Sequence, residues 1–494
     1  MVRRAGWRAD LFLASLTAAT LLASAGCGNG GTPSGSTSPA ARSTAGSSTG
    51  GGGGGGGGST GTGGLTVSAG PKLVDPQGAS TSRVLHTATT LNDGRVMILG
   101  GLTPTGATPS ADFDVYFYDE TANAVTSVLK NVRQASTLQT HVMTAPGQMS
   151  LGTQSVPFVI CLRYGHTATK LSNGQVVIVG GGGWDTTNAQ GQQVQVGAMK
   201  SIHVFDPAQG DTFTLAPIKL STARIFHSAI LLAGDKILIM GGQDDSATPK
   251  VNASAEILDF SVSPPTVKPA GTGPRGLFYS ASGPMGAGAV QWGGSSDNLF
   301  PSATKNTFPI LPGLAHDGGS SITEIGSLNG QAPNLLDAWS IGPAYCMVGS
   351  TLFTAGGLSF AVVQQQAQIG PQHGAYSIQG LQGNFQAIGD LATPRAIASA
   401  ALVNNADVVV AGGHDASGLA AQTPAPSPSV QTAELWTAST VTFTGSVRML
   451  QPRAGAAAVS LKSGKVLLVG GSDNSTQLFP IDGTPTEQLE IYSK

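Results

Sequence analysis

The chain has 494 residues, of which 11% are charged and 70 are glycine, and its formal net charge at pH 7 is -2. That length supplies a substantial core, while so sparse and balanced a charge leaves no basic face for DNA, RNA or anionic lipid and excludes nucleic-acid binding as a function class.

Arg3, Arg4 and Arg8 precede an apolar stretch from Leu11 to Ala25 that stops at Ser24-Ala25-Gly26-Cys27. Basic residues, a short apolar run and small residues at its end are the layout of an export signal. The run is shorter than an ordinary membrane-spanning helix needs. Residues 1–27 resemble the signal of bacterial lipoproteins, and the resemblance implies that Cys27 becomes the lipidated first residue and holds the mature chain to a lipid bilayer. The expected location is the outer membrane or cell surface of a bacterium, with a periplasm-facing or secreted protein as alternatives. Residues 28–64 are rich in Gly, Ser and Thr and include nine consecutive glycines, Gly50 to Gly58. Such a composition cannot build a core and reads as a flexible linker, with a root-mean-square reach of roughly 30 to 35 Å.

From Leu65 to Lys494 the pattern changes. Seven hydrophobic runs end in a glycine pair: Gly100-Gly101, Gly180-Gly181, Gly241-Gly242, Gly293-Gly294, Gly356-Gly357, Gly412-Gly413 and Gly470-Gly471. The strongest copies begin at Arg83, Arg163, Arg224 and Arg453; each gives a short strand, a turn such as Asn92-Asp93-Gly94 or Asn173-Gly174, and a second strand. The second strands, including Val96 to Leu99, Val176 to Val179 and Val466 to Val469, are nearly all aliphatic. Absence of alternation predicts burial on both faces. A third strand follows in several copies, as in Asp114 to Asp119, Ser201 to Asp206 and Ala433 to Trp436, and a fourth is seen at Thr212 to Leu215 and Val441 to Thr444.

Four antiparallel strands per unit, repeated radially, make the blades of a β-propeller. With an Arg near the first strand, a Gly-Gly after the second, Glu in the third and an aromatic in the fourth, residues 65–494 resemble the kelch-repeat family. The resemblance implies an all-β, kelch-type propeller of seven four-stranded blades. The last copy is one strand short, and Leu65 to Leu73 is the expected missing outer strand, closing the ring between the two ends of the chain.

The repeated polar residues admit two readings each. His86, His166 and His227 stand at one repeat position beside Thr87, Thr167 and Ser228; a structural hydrogen bond is the expectation, a metal site the alternative. Arg83, Arg163, Arg224, Arg275, Arg395 and Arg453, with Glu256, Glu434 and Glu490, predict charge-assisted bonds within or between blades. Acids soon after the diglycines, such as Asp244, Asp415 and Asp473, suit turn capping, with calcium as the alternative. Cys161 and Cys346 are read as buried free thiols. Copper-radical oxidases such as galactose oxidase share the kelch propeller; Tyr345 beside Cys346 is the nearest feature here, without an adjacent Tyr-His pair. No cofactor is predicted, with copper or calcium left open. The variable connections offer Phe300, Phe308, His316, Asp317, Trp339, His373, Tyr376 and Phe385 as a binding surface. The expected function is an envelope-anchored, non-catalytic binding or scaffolding propeller recognising a protein or polysaccharide; the alternative is an extracellular copper-radical oxidase.

Overall fold

In the computed structural model, the described residues are 58–74, 78, 80–102, 104, 115–127, 140–145, 148–152, 163–186, 193–246, 250–296, 313–326, 340–363, 366–417, 426–475 and 483–494. Cys27 and Cys161 lie outside them. Seven antiparallel sheets account for the repeat. Blade I comprises Thr87–Thr90, Val96–Leu99, Tyr116–Asp119 and Ala124–Ser127, and blade II Thr167–Lys170, Val176–Val179, Met199–Asp206 and Thr212–Arg224. Blade III is Ser228–Leu232, Lys236–Met240, Ser254–Asp259 and Thr266–Thr272, and blade IV Ala281–Met285, Gly288–Trp292, Gly313–His316 and Ile322–Ile325. Blade V is Ala344–Val348, Thr351–Ala355, Gly374–Gln379 and Asn384–Asp390, and blade VI Ser399–Val403, Asp407–Ala411, Thr432–Thr437 and Thr442–Arg448. Blade VII takes Ala457–Ser460, Val466–Val469 and Gln488–Ser493 from the end of the chain and Thr66–Lys72 from its beginning.

The aliphatic second strands explain the packing. Met97 and Leu99 of blade I share a cluster with Val176, Ile178 and Phe205 of blade II, while Val96 and Ile98 face Leu467 and Val469 of blade VII. One short strand therefore feeds two cores, which is why every residue from Val96 to Leu99 is fully buried. Corresponding clusters fill each junction round the ring. At about 1.5 to 3 kcal/mol per buried aliphatic side chain, these junctions carry the hydrophobic stabilisation.

Closure between the chain ends follows the expected pairing, with Thr66 opposite Ser493, Val67 opposite Tyr492 and Ala69 opposite Glu490. A strand also precedes Leu65, within the stretch read as linker: Gly58–Thr60 folds back on Thr66–Ser68 as a fifth strand of blade VII. Thr62 then crosses to blade VI, its amide donating to the Ser446 carbonyl at 2.7 Å and its hydroxyl accepting from the Ser446 amide at 2.9 Å.

The diglycines perform one task seven times. The amide of the second glycine donates to a carbonyl at the start of the next blade: Gly101 to Arg163, Gly181 to Arg224, Gly242 to Leu277, Gly294 to Ser340, Gly357 to Arg395, Gly413 to Arg453 and Gly471 to Arg83, all at 2.8 or 2.9 Å. Both glycines of each pair have positive φ, and a Cβ on the first would stand 1.9 to 2.5 Å from that same carbonyl oxygen. Side chains are excluded by backbone approach as well as by conformation.

These bonds also correct the alignment of blade IV. The carbonyl in the register of the repeat arginine belongs to Leu277, not Arg275, which puts Ser280 in the register of the histidines. Arg275 lies two residues upstream, with its Nε 2.9 Å from Glu324 of the outer strand.

Gly241→Ala and Gly234→Ala separate the two constraints. Gly234 has φ of 72° and open space where a Cβ would go, so alanine there costs about 1 kcal/mol of backbone strain. At Gly241 the Cβ would also sit 1.9 Å from the Leu277 oxygen, and the expected loss is about 3 kcal/mol or more. Chemical denaturation of the two variants checks this; equal losses would show that close approach is not limiting.

Candidate functional site on the propeller axis

Three layers of the repeat converge toward the axis. The deepest is built on arginine. Arg83, Arg163, Arg224, Arg395 and Arg453 are at most 2% exposed, and each donates from Nη1 to the carbonyl of the first glycine of its own blade at 2.9 to 3.2 Å. The arginine therefore holds the diglycine of its own blade while its carbonyl receives the diglycine of the blade before. Third-strand acids complete the charge balance: Arg224 meets Glu256 at 3.1 Å, Arg453 meets Glu490 at 2.8 Å, and Arg395 pairs with Glu434. These carboxylates also accept backbone amides, Ser221 at Glu256 and Ala392 at Glu434. In blade II the acid is replaced by His203, whose Nδ1 lies 2.9 Å from Arg163. In blade I the replacement is Tyr116, and the Arg83 guanidinium lies over its ring at 4.8 Å.

The second layer is histidine. His166 Nε2 lies 3.0 Å from the Thr87 hydroxyl, and His227 Nε2 is 3.0 Å from that of Thr167, so each ring reaches back to the preceding blade. The rings also pack on the first glycine of that blade, where a Cβ would fall within 2.9 Å of Cε1. Burial, reinforced by the neighbouring arginine, pushes His86 and His227 down to about 3 and holds His166 well below the usual imidazole range. His86 departs from the pattern. The position of Thr87 and Thr167 is occupied in blade VII by Ala457, and both ring nitrogens of His86 are buried. The Val469 carbonyl beside the ring accepts from it and works against that lowering.

The third layer is a collar that the repeat strings contain but do not advertise. Leu85, Gly165, Phe226, Tyr279, Gly342, Ile397 and Gly455 all take φ between 54° and 67°. Each donates its amide to the carbonyl of the collar residue before it at six junctions: 2.9 Å for Gly165 to Leu85 and Phe226 to Gly165, 3.1 Å for Gly342 to Tyr279 and Gly455 to Ile397, and 3.3 Å for the other two. Four of the seven are large residues in a conformation that costs about 1 to 2 kcal/mol each. Collar and histidines enclose an axial cavity of about 440 Å³. Tyr345 also lines it, at 42% exposure. In the inner-strand row, Ala88, Ala168, Ala229, Ser282, Ala400 and Ala458 fill the positions corresponding to Tyr345.

No protein-family model matches this chain, and no curated protein does. Among solved structures it is similar to a novel fungal alcohol oxidase with catalytic diversity among the AA5 family, in complex with copper: 15% identity over 86% of this chain and 76% of that chain, with a TM-score of 0.55. The fold is a kelch-like β-propeller. Identity at that level carries the fold alone. A copper site needs convergent ligands, and among the described residues no three His, Cys, Asp or Glu gather closely enough to hold a metal. The Nε2 atoms of His166 and His227 are spent on threonines, and burial pushes the Cys346 thiol up to about 12. Among the described residues the donors do not form a set that fits copper. Nor do the acids after the diglycines converge on calcium: Asp244 accepts from Ser246 and Lys250, Asp415 from Ser417, and Asp473 from Ser429 and Asn474.

The expected loop surface is not assembled among the described residues. His316 is fully buried; its Nε2 donates to the Ala270 carbonyl at 2.7 Å and its Nδ1 accepts from the Gly318 amide at 2.9 Å, making it a strut rather than a surface group. Tyr376 and Phe385 pack with Trp292, the two phenyl rings 6.2 Å apart and Phe385 5.1 Å from the indole. Asp317 and His373 are exposed, with Asp317 accepting from the amides of Gly319 and Ser321 in its own turn. Phe300, Phe308 and Trp339 lie outside the described residues. Sequence reasoning missed the collar, whose available signal was a fixed place two residues after the arginine register, and noted Tyr345 only as the neighbour of Cys346.

The depressed histidines set a pH dependence. In the unfolded chain they titrate near 6.5, so below that value it takes up protons that the native ring does not. The stability that His86 and His227 contribute is therefore present above about pH 6.5 and lost as pH falls, levelling off near pH 3. His227→Gln should flatten the slope of unfolding free energy between pH 6 and 4 by about one proton, or about 1.4 kcal/mol per pH unit. Urea titrations across that range measure it, and an unchanged slope would mean that His227 is protonated in the native ring.

Proposed function

We infer that this protein is a non-catalytic binding or scaffolding propeller of the bacterial envelope, held to the bilayer through a lipidated Cys27 and recognising an envelope protein or polysaccharide. The observation that carries the reading is where the polar side chains go. The described arginines and glutamates of the repeat, with His166 and His227, bond from blade to blade or within a blade, which suits a rigid ring better than a set of groups poised around one reacting atom. A rigid ring with long variable connections suits recognition. The signal-like residues 1–27 and the glycine-rich stretch behind them supply the anchor and its reach.

Purified full-length chain, incubated with isolated envelope polysaccharide, is expected to bind saturably without altering it, and shortening the connection between Glu120 and Cys161 should abolish binding while the melting temperature holds. Cys27→Ser should move the protein from the membrane to the soluble fraction. Copper-dependent hydrogen peroxide formation from galactose or another alcohol would overturn the non-catalytic reading and put a copper-radical oxidase in its place.

A further inference from the structure

Residues 58–64 have the composition of the linker but not its freedom. Gly58–Thr60 pairs with Thr66–Ser68, and the turn between them is closed by the Gly61 amide donating to the Leu65 carbonyl at 2.8 Å and the Leu65 amide to that of Thr62 at 3.3 Å. The tip of the turn lies against Thr442–Arg448, the outer strand of blade VI, where Thr62 holds Ser446 through both its amide and its hydroxyl.

The two segments are fitted to each other. A Cβ on Gly61 would stand 2.0 Å from the Ser446 oxygen, one on Gly445 2.3 Å from the Thr62 oxygen, and one on Gly63 2.9 Å from the Gly445 Cα. Gly63 has φ of 66°, but neither Gly61 nor Gly445 takes a positive φ. At those two positions the missing side chain serves close approach alone. A linker that merely passed blade VI would have no use for Gly445, which sits inside a strand, where glycine weakens pairing and often marks the approach of another backbone.

The register of the ring's seal shows what this contact protects. Thr66 pairs with Ser493 and Lys72 with Gln488, so the linker enters the sealing strand at the end where its partner strand stops. A pull on the linker would part that pairing from Thr66 onward, a few bonds at a time, instead of shearing all of it together. Leu65 and Val67 would leave with it, and both are buried in the core shared by blades VI and VII. While Thr62 is held, the load passes to blade VI before it reaches Thr66.

We propose that Gly61, Thr62 and Gly63 form with Gly445 and Ser446 a clasp that fastens the linker to blade VI, so that tension on an anchored molecule is borne by this contact and not by the pairing that closes the ring. The proposal rests on the reading of the N-terminal residues as anchor and linker.

The test holds the purified full-length chain in an optical trap by handles at its two ends and measures the lifetime of the closed ring at constant force. Gly445→Ala, which pushes a methyl into the Thr62 carbonyl, should shorten that lifetime about tenfold, as expected for the loss of one or two exposed hydrogen bonds. With the N-terminal handle moved to the Gly234-Asp235 turn of blade III, the load bypasses the clasp, and the same substitution should change the lifetime less than about twofold. Thr62→Ala, which removes the hydroxyl that accepts from the Ser446 amide, gives the same reading if Gly445→Ala does not fold. Equal lifetimes for wild type and variant under load through the N-terminus overturn the proposal. An equal loss in both geometries also overturns it, because Gly445 would then be a structural residue of blade VI that carries no load from the linker. A Cys27→Ser protein that stays with the membrane would count against the anchor and not against the clasp, so the two readings fail separately.

Discussion

One backbone hydrogen bond, from the second glycine of a blade to the first carbonyl of the next, organises the molecule. It draws two main chains together so closely that a single added carbon on the first glycine would overlap the acceptor. Because its acceptor in five blades is the carbonyl of an arginine that grips its own diglycine, each junction is tied to the one after it. Charges in so uncharged a protein are thus spent inside the ring, where desolvation is offset by carboxylates, carbonyls or an aromatic face. Hydrophobic burial supplies the bulk of the stability; this bond fixes the angle at which the blades meet.

Much of the architecture was legible because the bond leaves a chemical signature. Glycine pairs recur where only glycine fits, and aliphatic runs lose alternation where both faces are buried, so the blades and their closing strand follow from pattern. Legibility failed where the determinant was three-dimensional. Arg275 mimics the repeat, but the stretch before blade IV places Leu277 at the carbonyl position, a shift of two residues that no local pattern announces. His316 has the composition of a loop residue, and only the position of the Ala270 carbonyl in the neighbouring blade turns it into an internal strut. The collar residues vary freely in type because their shared property is a backbone angle, which side-chain identity does not encode.

The axis departs from the symmetry of the ring. Histidines occupy blades I to III at the level where blades IV to VII carry Ser280, Pro343, Ala398 and Ala456. One arc of the cavity is therefore imidazole and the other mostly small and apolar. An arrangement built only to hold blades together has no need of this inequality.

The pairing of Thr66 with Ser493 spans 427 residues, which imposes a schedule on the chain as it is made. The strand that seals the ring, Thr66–Lys72, is made before blades I to VI, and its partner, Gln488–Ser493, after them. The blade interfaces between them can form as their strands are made, whereas blade VII keeps an open edge until Gln488–Ser493 is there to pair. Loops of that size close slowly, and in the interval the exposed edge is the place where a second chain could pair in its stead. The fold-back of Gly58–Thr60 on the sealing strand, and the grip of Thr62 on Ser446, give that early strand a fixed position beside blade VI before the final partner arrives.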